Sequence, residues 1–147
     1  TPAAEANFYH DPHAADYVLR HGCHITLVGL DVTNRVICPR SFFADLASES
    51  PKMGGLLHVM ADFYIDFYET VGKFSGCGMH DPSALVACLA PELFTTEPHV
   101  LRVTCAGDRS GEMIAKTSAN AQPVNVCTDV QAEAVKQNFF KIVAKLS

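Results

Sequence analysis

The sequence lacks any long uninterrupted apolar run. Of its 147 residues, 48% are hydrophobic and only 18% are charged. No apolar stretch reaches the roughly 18 consecutive residues that a membrane-spanning helix needs. A membrane partner is therefore not expected, and disorder is excluded by the same composition. We expect one water-soluble domain with one core, since this is an ordinary single-domain length.

Clusters of basic residues are also missing. The 11 Lys and Arg are scattered singly among 16 Asp and Glu, which offers no positive surface to a nucleic acid. The six cysteines form no CxxC pair, and their wide spacing favours reduced thiols of a cytosolic protein over a disulfide framework. With no signal-peptide pattern at the N-terminus, the sequence predicts a cytoplasmic protein. The histidines show no zinc-binding spacing.

Local signals predict several helices and strands. Asp11, Pro12 and Gly22 suit the cap, the first residue and the end of a helix over 11–22, and the apolar run at 25–30 is typical of a buried parallel strand. We expect further elements as follows: helices at 39–47, 55–69 and 131–146, another beginning at 81–82, and strands at 99–105, 112–117 and 124–130, with a turn at Gly107 and Gly111.

The order of these elements predicts an α/β, layered fold. The run at 25–30 needs parallel neighbours, and no second buried run of that kind follows it. We therefore expect its neighbours to come from sequence upstream of Thr1. The later strands are expected to pair antiparallel.

One loop presents two chemically useful side chains together. The glycine-rich segment 71–79 leads to His80 and Asp81, and Pro82 follows, so Asp81 is expected to cap a helix whose first residue is Pro82. An imidazole and a carboxylate on a loop are typical of a functional site. From these residues alone, the simpler alternative is a helix cap beside an exposed loop histidine.

Two further polar or aromatic pairs have open interpretations. Glu5 and Asn7 would lie on one side of an extended segment, where they suit a vicinal diol or form a solvated strand end. Tyr64 and Tyr68 stand at helical spacing and either wall a pocket or join the core. Their neighbours form an apolar stripe in which the two Phe are expected to be core residues: Leu56, Met60, Phe63 and Phe67.

Four blocks carry a resemblance to a known family. They are residues 1–15 (TPAAEANFYHDPHAA), 28–33 (VGLDVT), 80–82 (HDP) and 91–95 (PELFT). In this order they resemble the inosine-uridine preferring nucleoside hydrolase family. The resemblance implies the C-terminal half of one nucleoside hydrolase domain, an α/β layered fold with a mostly parallel sheet and a small antiparallel element.

The resemblance also implies an activity and the residues that carry it. The reaction is hydrolysis of the N-glycosidic bond of ribonucleosides, with Ca2+ holding the ribose hydroxyls and the attacking water. Asp81 matches a calcium ligand, and His80 matches the histidine that protonates or positions the leaving base. The remaining matches are substrate contacts: Glu5 and Asn7 to ribose, and Tyr64 and Tyr68 to the base. A homo-oligomer, or pairing with an N-terminal half, is implied as well.

Two departures from the family qualify this expectation. Ala6 stands where many members have Phe, which leaves the base preference open. The family's N-terminal aspartate cluster is not among these residues, so the 147 residues alone are expected to bind calcium feebly and to be inactive. The alternatives are a non-catalytic module that binds nucleoside or ribose, and a structural remnant that pairs across an open sheet edge.

Overall fold

The fold is mixed α/β, as the sequence predicts. The structure is a computed structural model that describes residues 1–71, 75–117 and 121–146. In these ranges the helices are α1 (Ala6–His10), α2 (Pro12–His21), α3 (Leu30–Thr33), α4 (Arg40–Glu49), α5 (Met53–Thr70), α6 (His80–Leu89) and α7 (Ala132–Ala144), with a 3₁₀ turn at Pro91–Leu93. The strands are β1 (Thr26–Leu27), β2 (Ile37–Cys38), β3 (Cys77–Gly78), β4 (Phe94–His99), β5 (Leu101–Val103), β6 (Met113–Ala115) and β7 (Val124–Val130).

The described strands form one three-stranded sheet and two small antiparallel pairs. The larger sheet has the order β1-β7-β4, and β1 runs parallel to β7 with Thr26 opposite Asn125. The expectation that the parallel neighbours of 25–30 come from upstream of Thr1 is therefore wrong for this pairing. The partner lies near the other end of the chain, because a strand partly buried in a sheet need not form a strong apolar run. The antiparallel pairs are β2 with β3 and β5 with β6.

The chain divides into two compact units. Unit 1 consists of Thr1–Gly29 and Thr96–Thr128, and unit 2 of Leu30–Thr95 and Asp129–Ser147. The boundaries fall after β1 and within β4 and β7. Each unit is therefore discontinuous in sequence.

In unit 1, helix α2 forms as its end signals predict. Asp11 Oδ1 accepts a hydrogen bond from Ala14 N at 2.9 Å, and Pro12 is the first helical residue. Gly22 ends the helix in a place where a Cβ would come within 2.6 Å of Ile25 Cδ1. The helix contributes Leu19 to a small core that also contains Leu101, Val103 and Val124.

The turn between β5 and β6 uses the two glycines that the sequence singled out. Gly107 and Gly111 have φ values of 79° and 87°, which only glycine adopts without strain. The Gly111 N–H donates to the carbonyl of Thr104 at 2.8 Å. The predicted turn is therefore confirmed, and its strands are shorter than 99–105 and 112–117.

A buried carboxylate ties α2 to β5 within unit 1. Asp16 is only 6% exposed, and it accepts from Arg102 Nε at 2.7 Å, from Arg102 Nη2 at 3.0 Å and from Val103 N at 3.0 Å. The hydrogen bond from Arg102 lowers the pKa of Asp16 against the opposing effect of burial. Ionised Asp16 therefore stabilises the folded chain.

This pair predicts a pH-dependent stability. Because the folded-state pKa of Asp16 is lowered, its contribution is present above the unfolded pKa of about 3.9 and is lost as the pH falls through the folded value. We expect the Tm difference between wild type and Asp16→Asn to be largest near neutral pH and to shrink below about pH 4. Thermal unfolding between pH 7 and pH 3 measures it, and a constant difference across that range would contradict the assignment.

In unit 2, helices α4 and α5 pack closely at a glycine. A Cβ on Gly54 would overlap the carbonyl of Leu46 and would lie 2.9 Å from Ala47 N. Gly54, Ala61 and Ile65 are the buried residues of α5. The small side chains on this face let α4 approach, which fixes the rotation of α5 about its own axis.

The prediction that Phe63 and Phe67 are core residues is wrong. Their exposed fractions are 73% and 53%. The bulky stripe and the small-residue face both repeat with helical spacing, on opposite sides of α5, and the close contact at Gly54 decides between them.

Several local boundaries also differ from the predictions. Residues 30–33 form helix α3 instead of continuing the strand, and β3 lies within the segment 71–79 that was predicted as a loop, of which 72–74 lie outside the described residues. Helix α6 begins at His80, so Asp81 is not its cap and Pro82 is its third residue. Proline is tolerated there because the first four N–H groups of a helix have no intrahelical partner. The predicted strand at 124–130 and helix at 131–146 are confirmed as β7 and α7, but the antiparallel pairing expected of the later strands is wrong for β7, which runs parallel to β1.

Among the described residues, no helix combines the length and the apolar character that a bilayer crossing requires.

Candidate active site

A cavity of about 410 Å³ lies within unit 2 and collects four of the predicted site residues. Tyr64, Tyr68, His80 and Asp81 all line it. The rest of its wall is mostly apolar: Phe43, Leu57, Met60, Ala61, Cys77, Gly78, Met79, Pro82 and Phe139. An apolar pocket with a few convergent polar groups is the usual form of a small-molecule site.

One side of α5 supplies the tyrosine wall. Leu57, Ala61, Tyr64 and Tyr68 are spaced by three or four residues and so lie on one face of the helix. This face lies between the small residues packed on α4 and the exposed aromatic stripe. The open choice between core and pocket is thereby settled for the two tyrosines, which line the cavity.

Arg40, the first residue of α4, clamps the outer side of α5. Its guanidinium contacts Asp62 at 2.7 Å, Asp66, and Glu69 at 3.6 Å. These carboxylates follow one another along the helix surface, so a single cation spans two turns. Because the pairs are exposed, solvent screens them and each contributes little to stability, but together they link α4 to α5.

Strand β3 and the start of α6 place the imidazole of His80. The ring lies over Gly78, where a Cβ would come within 2.6 Å of His80 Nε2 and 2.9 Å of Cε1. Any side chain at residue 78 would therefore displace the ring. Glycine is required here because of this close approach, and not because of its backbone angles.

Both ring nitrogens of His80 have hydrogen-bond partners. Thr33 Oγ1 lies 2.8 Å from Nδ1, and Tyr68 Oη lies 3.1 Å from Nε2. The sequence reasoning did not identify Thr33 as a site residue. The sequence offers only a weak signal for it, a threonine that follows the strand predicted at 25–30 and ends the block VGLDVT. In the structure Thr33 is only 2% exposed.

Burial raises the pKa of two groups of the cavity wall, Tyr68 and Cys77. Desolvation raises the pKa of Tyr68, with smaller contributions from Cys77 and Tyr64, so its phenol remains protonated at neutral pH. Burial also raises the pKa of Cys77, and it raises that of Cys38, opposite Cys77 across β2 and β3, to about 12. A thiolate nucleophile is therefore disfavoured at this site.

Asp81 is the carboxylate of the cavity. It is the second residue of α6 and is exposed. Among the residues that the structure describes, no group of three His, Cys, Asp or Glu side chains is placed to hold a metal ion. A metal ion at Asp81 would therefore need further ligands from outside the described residues.

Glu5 and Asn7 belong to unit 1 and not to the unit of the cavity. The expected extended segment is wrong, because Glu5 caps α1 and its carboxylate accepts from the N–H groups of Asn7 and Phe8. The first N–H groups of a helix have no backbone acceptor, and the carboxylate of Glu5 satisfies two of them as the N-cap. A carboxylate has about four acceptor sites, so Glu5 retains capacity for a ligand hydroxyl.

Comparison with known proteins identifies the family. The family model described as "Inosine-uridine preferring nucleoside hydrolase" matches residues 1–137. The chain belongs to this family. The resemblance found in the four sequence blocks is confirmed.

Curated nucleoside hydrolases match the chain over only part of their own length. It is 38% identical to "Probable uridine nucleosidase 2" of Arabidopsis thaliana over 75% of this chain and 34% of that protein. It is 33% identical to "Non-specific ribonucleoside hydrolase RihC" of Shigella boydii serotype 18 (strain CDC 3083-94 / BS512) over 100% of this chain and 48% of that protein. The chain thus spans about half or less of the length of these curated relatives.

Solved nucleoside hydrolase structures share the fold. "Plant nucleoside hydrolase - PpNRh1 enzyme" superposes with a TM-score of 0.90 at 29% identity, covering 98% of this chain and 48% of that one. "Purine-Preferring Ribonucleoside Hydrolase from Gardnerella vaginalis" gives 0.89 at 32% identity, covering 97% and 46%. Nucleoside hydrolases are generally metal-dependent enzymes.

Proposed function

We propose that the protein containing this chain hydrolyses the N-glycosidic bond of ribonucleosides, releasing a free base and ribose. The observation that carries the proposal is the convergence of Tyr64, Tyr68, His80 and Asp81 on one cavity. Membership in the nucleoside hydrolase family supports the same reaction. The 147 residues form the C-terminal portion of a single nucleoside hydrolase domain in this proposal, which the partial coverage of the relatives supports.

The chemistry of the cavity suits a departing nucleobase. In the reaction a water oxygen bonds to the anomeric carbon, the bond from that carbon to the base nitrogen breaks, the water loses a proton and the base gains one. Positive charge develops on the ribose ring in the transition state, and an ionised Asp81 stabilises it. His80 protonates or positions the leaving base, and Tyr64 and Tyr68 contact its planar ring.

Calcium is part of the proposal, with Asp81 as one of its ligands. Ca2+ takes six to eight oxygen ligands, which the described residues of this chain do not provide. The further ligands come from the portion of the domain that these 147 residues do not include. When bound, the ion would hold the ribose hydroxyls and a water molecule.

Glu5 and Asn7 are the proposed ribose contacts. A carboxylate and a carboxamide two residues apart provide acceptors and donors for neighbouring hydroxyls. The capping bonds of Glu5 to Asn7 N and Phe8 N support this role because they hold the carboxylate in one orientation. The base is left open, since the relatives' names include uridine nucleosidases, non-specific hydrolases and a purine-preferring enzyme.

The proposal places the protein in the cytoplasm, in the salvage of nucleosides. The wide spacing of its cysteines supports a reducing compartment. It acts as a homo-oligomer, or through pairing of this portion with the N-terminal one. The free apolar side of α5, with Phe63 73% exposed, supports an association of some kind.

Release of ribose from inosine and from uridine tests the function. The assay uses the protein at its full gene-encoded length and, beside it, the 147 residues alone. We expect release by the full-length protein, loss of release with a chelator, recovery with Ca2+, and no release by the 147 residues. The measurement is reducing sugar formed per unit time.

Each other outcome has a definite meaning. Tight nucleoside binding without ribose release by the full-length protein would favour a binding module, and neither binding nor release would favour a structural remnant. Chelator-resistant release would remove the metal from the proposal. Release by the 147 residues alone would contradict the need for further ligands.

A further inference from the structure

A buried hydroxyl on α3 reaches the imidazole of the proposed active site. Thr33 is the last residue of α3, and its side chain lies 2.8 Å from His80 Nδ1, a partner 47 positions away in the sequence. Thr33 is 2% exposed, and its neighbour Val32 is fully buried. At this exposure the hydroxyl is shielded from bulk solvent and depends on its protein partner.

The hydrogen-bonding capacity of Thr33 determines which ring nitrogen of neutral His80 carries the hydrogen. Among the described side chains, His80 Nδ1 is the hydrogen-bond partner of the Thr33 hydroxyl. If Nδ1 carried a hydrogen, it would donate to Thr33, and the hydrogen of the Thr33 hydroxyl would be buried without an acceptor, which is unfavourable. If Nδ1 is bare, the hydroxyl donates to it and both groups are satisfied.

We propose that Thr33 is a positioning residue that holds neutral His80 with its hydrogen on Nε2. This inference rests on the proposed function and deepens it, because it names the ring nitrogen whose N–H can donate a hydrogen bond in the site. Tyr68, the partner of Nε2 at 3.1 Å, lines the cavity, whereas Thr33 is not part of its lining. The proton is therefore held on the side of the ring that faces the site.

Close packing beneath the ring supports this assignment. His80 lies over Gly78, with Nε2 and Cε1 so near that a Cβ could not be accommodated. A ring flip would place carbon atoms against Thr33 and Tyr68, and would break both hydrogen bonds. The backbone of Gly78 and the hydroxyl of Thr33 thus fix the plane and the tautomer of the ring together.

Nitrogen NMR of the imidazole groups tests the tautomer directly. In the ¹⁵N-labelled full-length protein, at a pH where His80 is neutral, we expect Nε2–H in wild type and in Thr33→Ser, which keeps the hydroxyl. In the near-isosteric Thr33→Val, we expect a mixture with Nδ1–H. The signals of His80 are assigned by their loss in His80→Ala, and those of His99, in unit 1, should not change.

Kinetics provide the second readout. We expect Thr33→Val to lower kcat by about 10-fold, the effect of losing one hydrogen bond, with KM little changed. Thr33→Ser should restore most of the rate. Thr70→Val is the matched control, since Thr70 is exposed and donates to a carbonyl of its own helix, Asp66 O.

The outcomes separate this inference from the proposed function. An Nδ1–H tautomer in wild type overturns the inference without any variant, so it stays testable if Thr33→Val does not fold. An unchanged tautomer in folded Thr33→Val overturns it as well. Absence of hydrolysis by wild type would end the proposed function, and the tautomer would still decide what Thr33 does.

Discussion

His80→Ala is expected to lower kcat for ribose release by about 10²- to 10⁴-fold, the usual contribution of a general acid. The reason is that His80 lines the cavity and is hydrogen-bonded at both ring nitrogens, so no neighbouring side chain takes its place. Because the proton is needed only as the base departs, kcat and kcat/KM should fall by the same factor. Steady-state rates with inosine and uridine measure the effect.

Two controls make this result specific to the proton. A nitrophenyl riboside, whose leaving group departs as a stable anion, should lose far less rate in His80→Ala than inosine does. His99→Ala removes a histidine outside the cavity that pairs with Glu97 and should leave the rate unchanged. Equal losses for the two kinds of substrate would show that His80 supports the structure of the site and does not serve the leaving base.

Gly54→Ala is expected to destabilise unit 2 by about 3 kcal/mol, the upper end of the cost of overpacking a core. The added methyl group would overlap the carbonyl of Leu46, and main-chain atoms cannot move aside as a flexible side chain can. The α4–α5 contact must open, and α5 carries both tyrosines of the cavity. Urea unfolding measures the loss, and a higher KM for nucleosides should accompany it.

The next residue provides the matched control. A Cβ at Gly55 meets nothing within 4 Å, and replacing a helical glycine with alanine there should stabilise the protein by about 0.5–1 kcal/mol. The same chemical change at adjacent positions thus has opposite expected signs. Similar unfolding free energies for the two variants would show that α4 and α5 do not pack as closely as described.

Signals contained within a few residues predicted their elements well. Helix α2 has its cap, its proline and its final glycine in the sequence, and the structure uses all three. Gly107 and Gly111 also form the turn that their placement indicated, and both have positive φ. These features were predictable because each depends on short-range sterics and hydrogen bonds.

Features that depend on distant partners were not predictable. The two sides of α5 have equally regular spacing, and only the approach of α4 at Gly54 shows which is buried. The parallel partner of β1 is β7, whose sequence has no strong apolar run that would predict a buried parallel strand. Short-range patterns cannot reveal contacts that form across a hundred residues.

The candidate site shows the same division. The motif at His80 and Asp81 and the helical spacing of Tyr64 and Tyr68 indicated residues that the structure brings to one cavity. Thr33 was missed because a hydroxyl has no spacing that predicts a bond to an imidazole on another helix. Glu5 was named, but its capping of α1 was not expected, since extended and helical starts look alike over three residues.

The discontinuity of both units bears on how the protein forms during synthesis. Strand β1 ends at Leu27, and its partner β7 begins at Val124, so their pairing waits while the ribosome adds the intervening residues for roughly 5 to 20 s. During that interval the unpaired edge of β1 is available to chaperones or to wrong partners. A pause or slow codons within this stretch would lengthen the vulnerable period, which makes the yield of folded protein sensitive to the rate of translation.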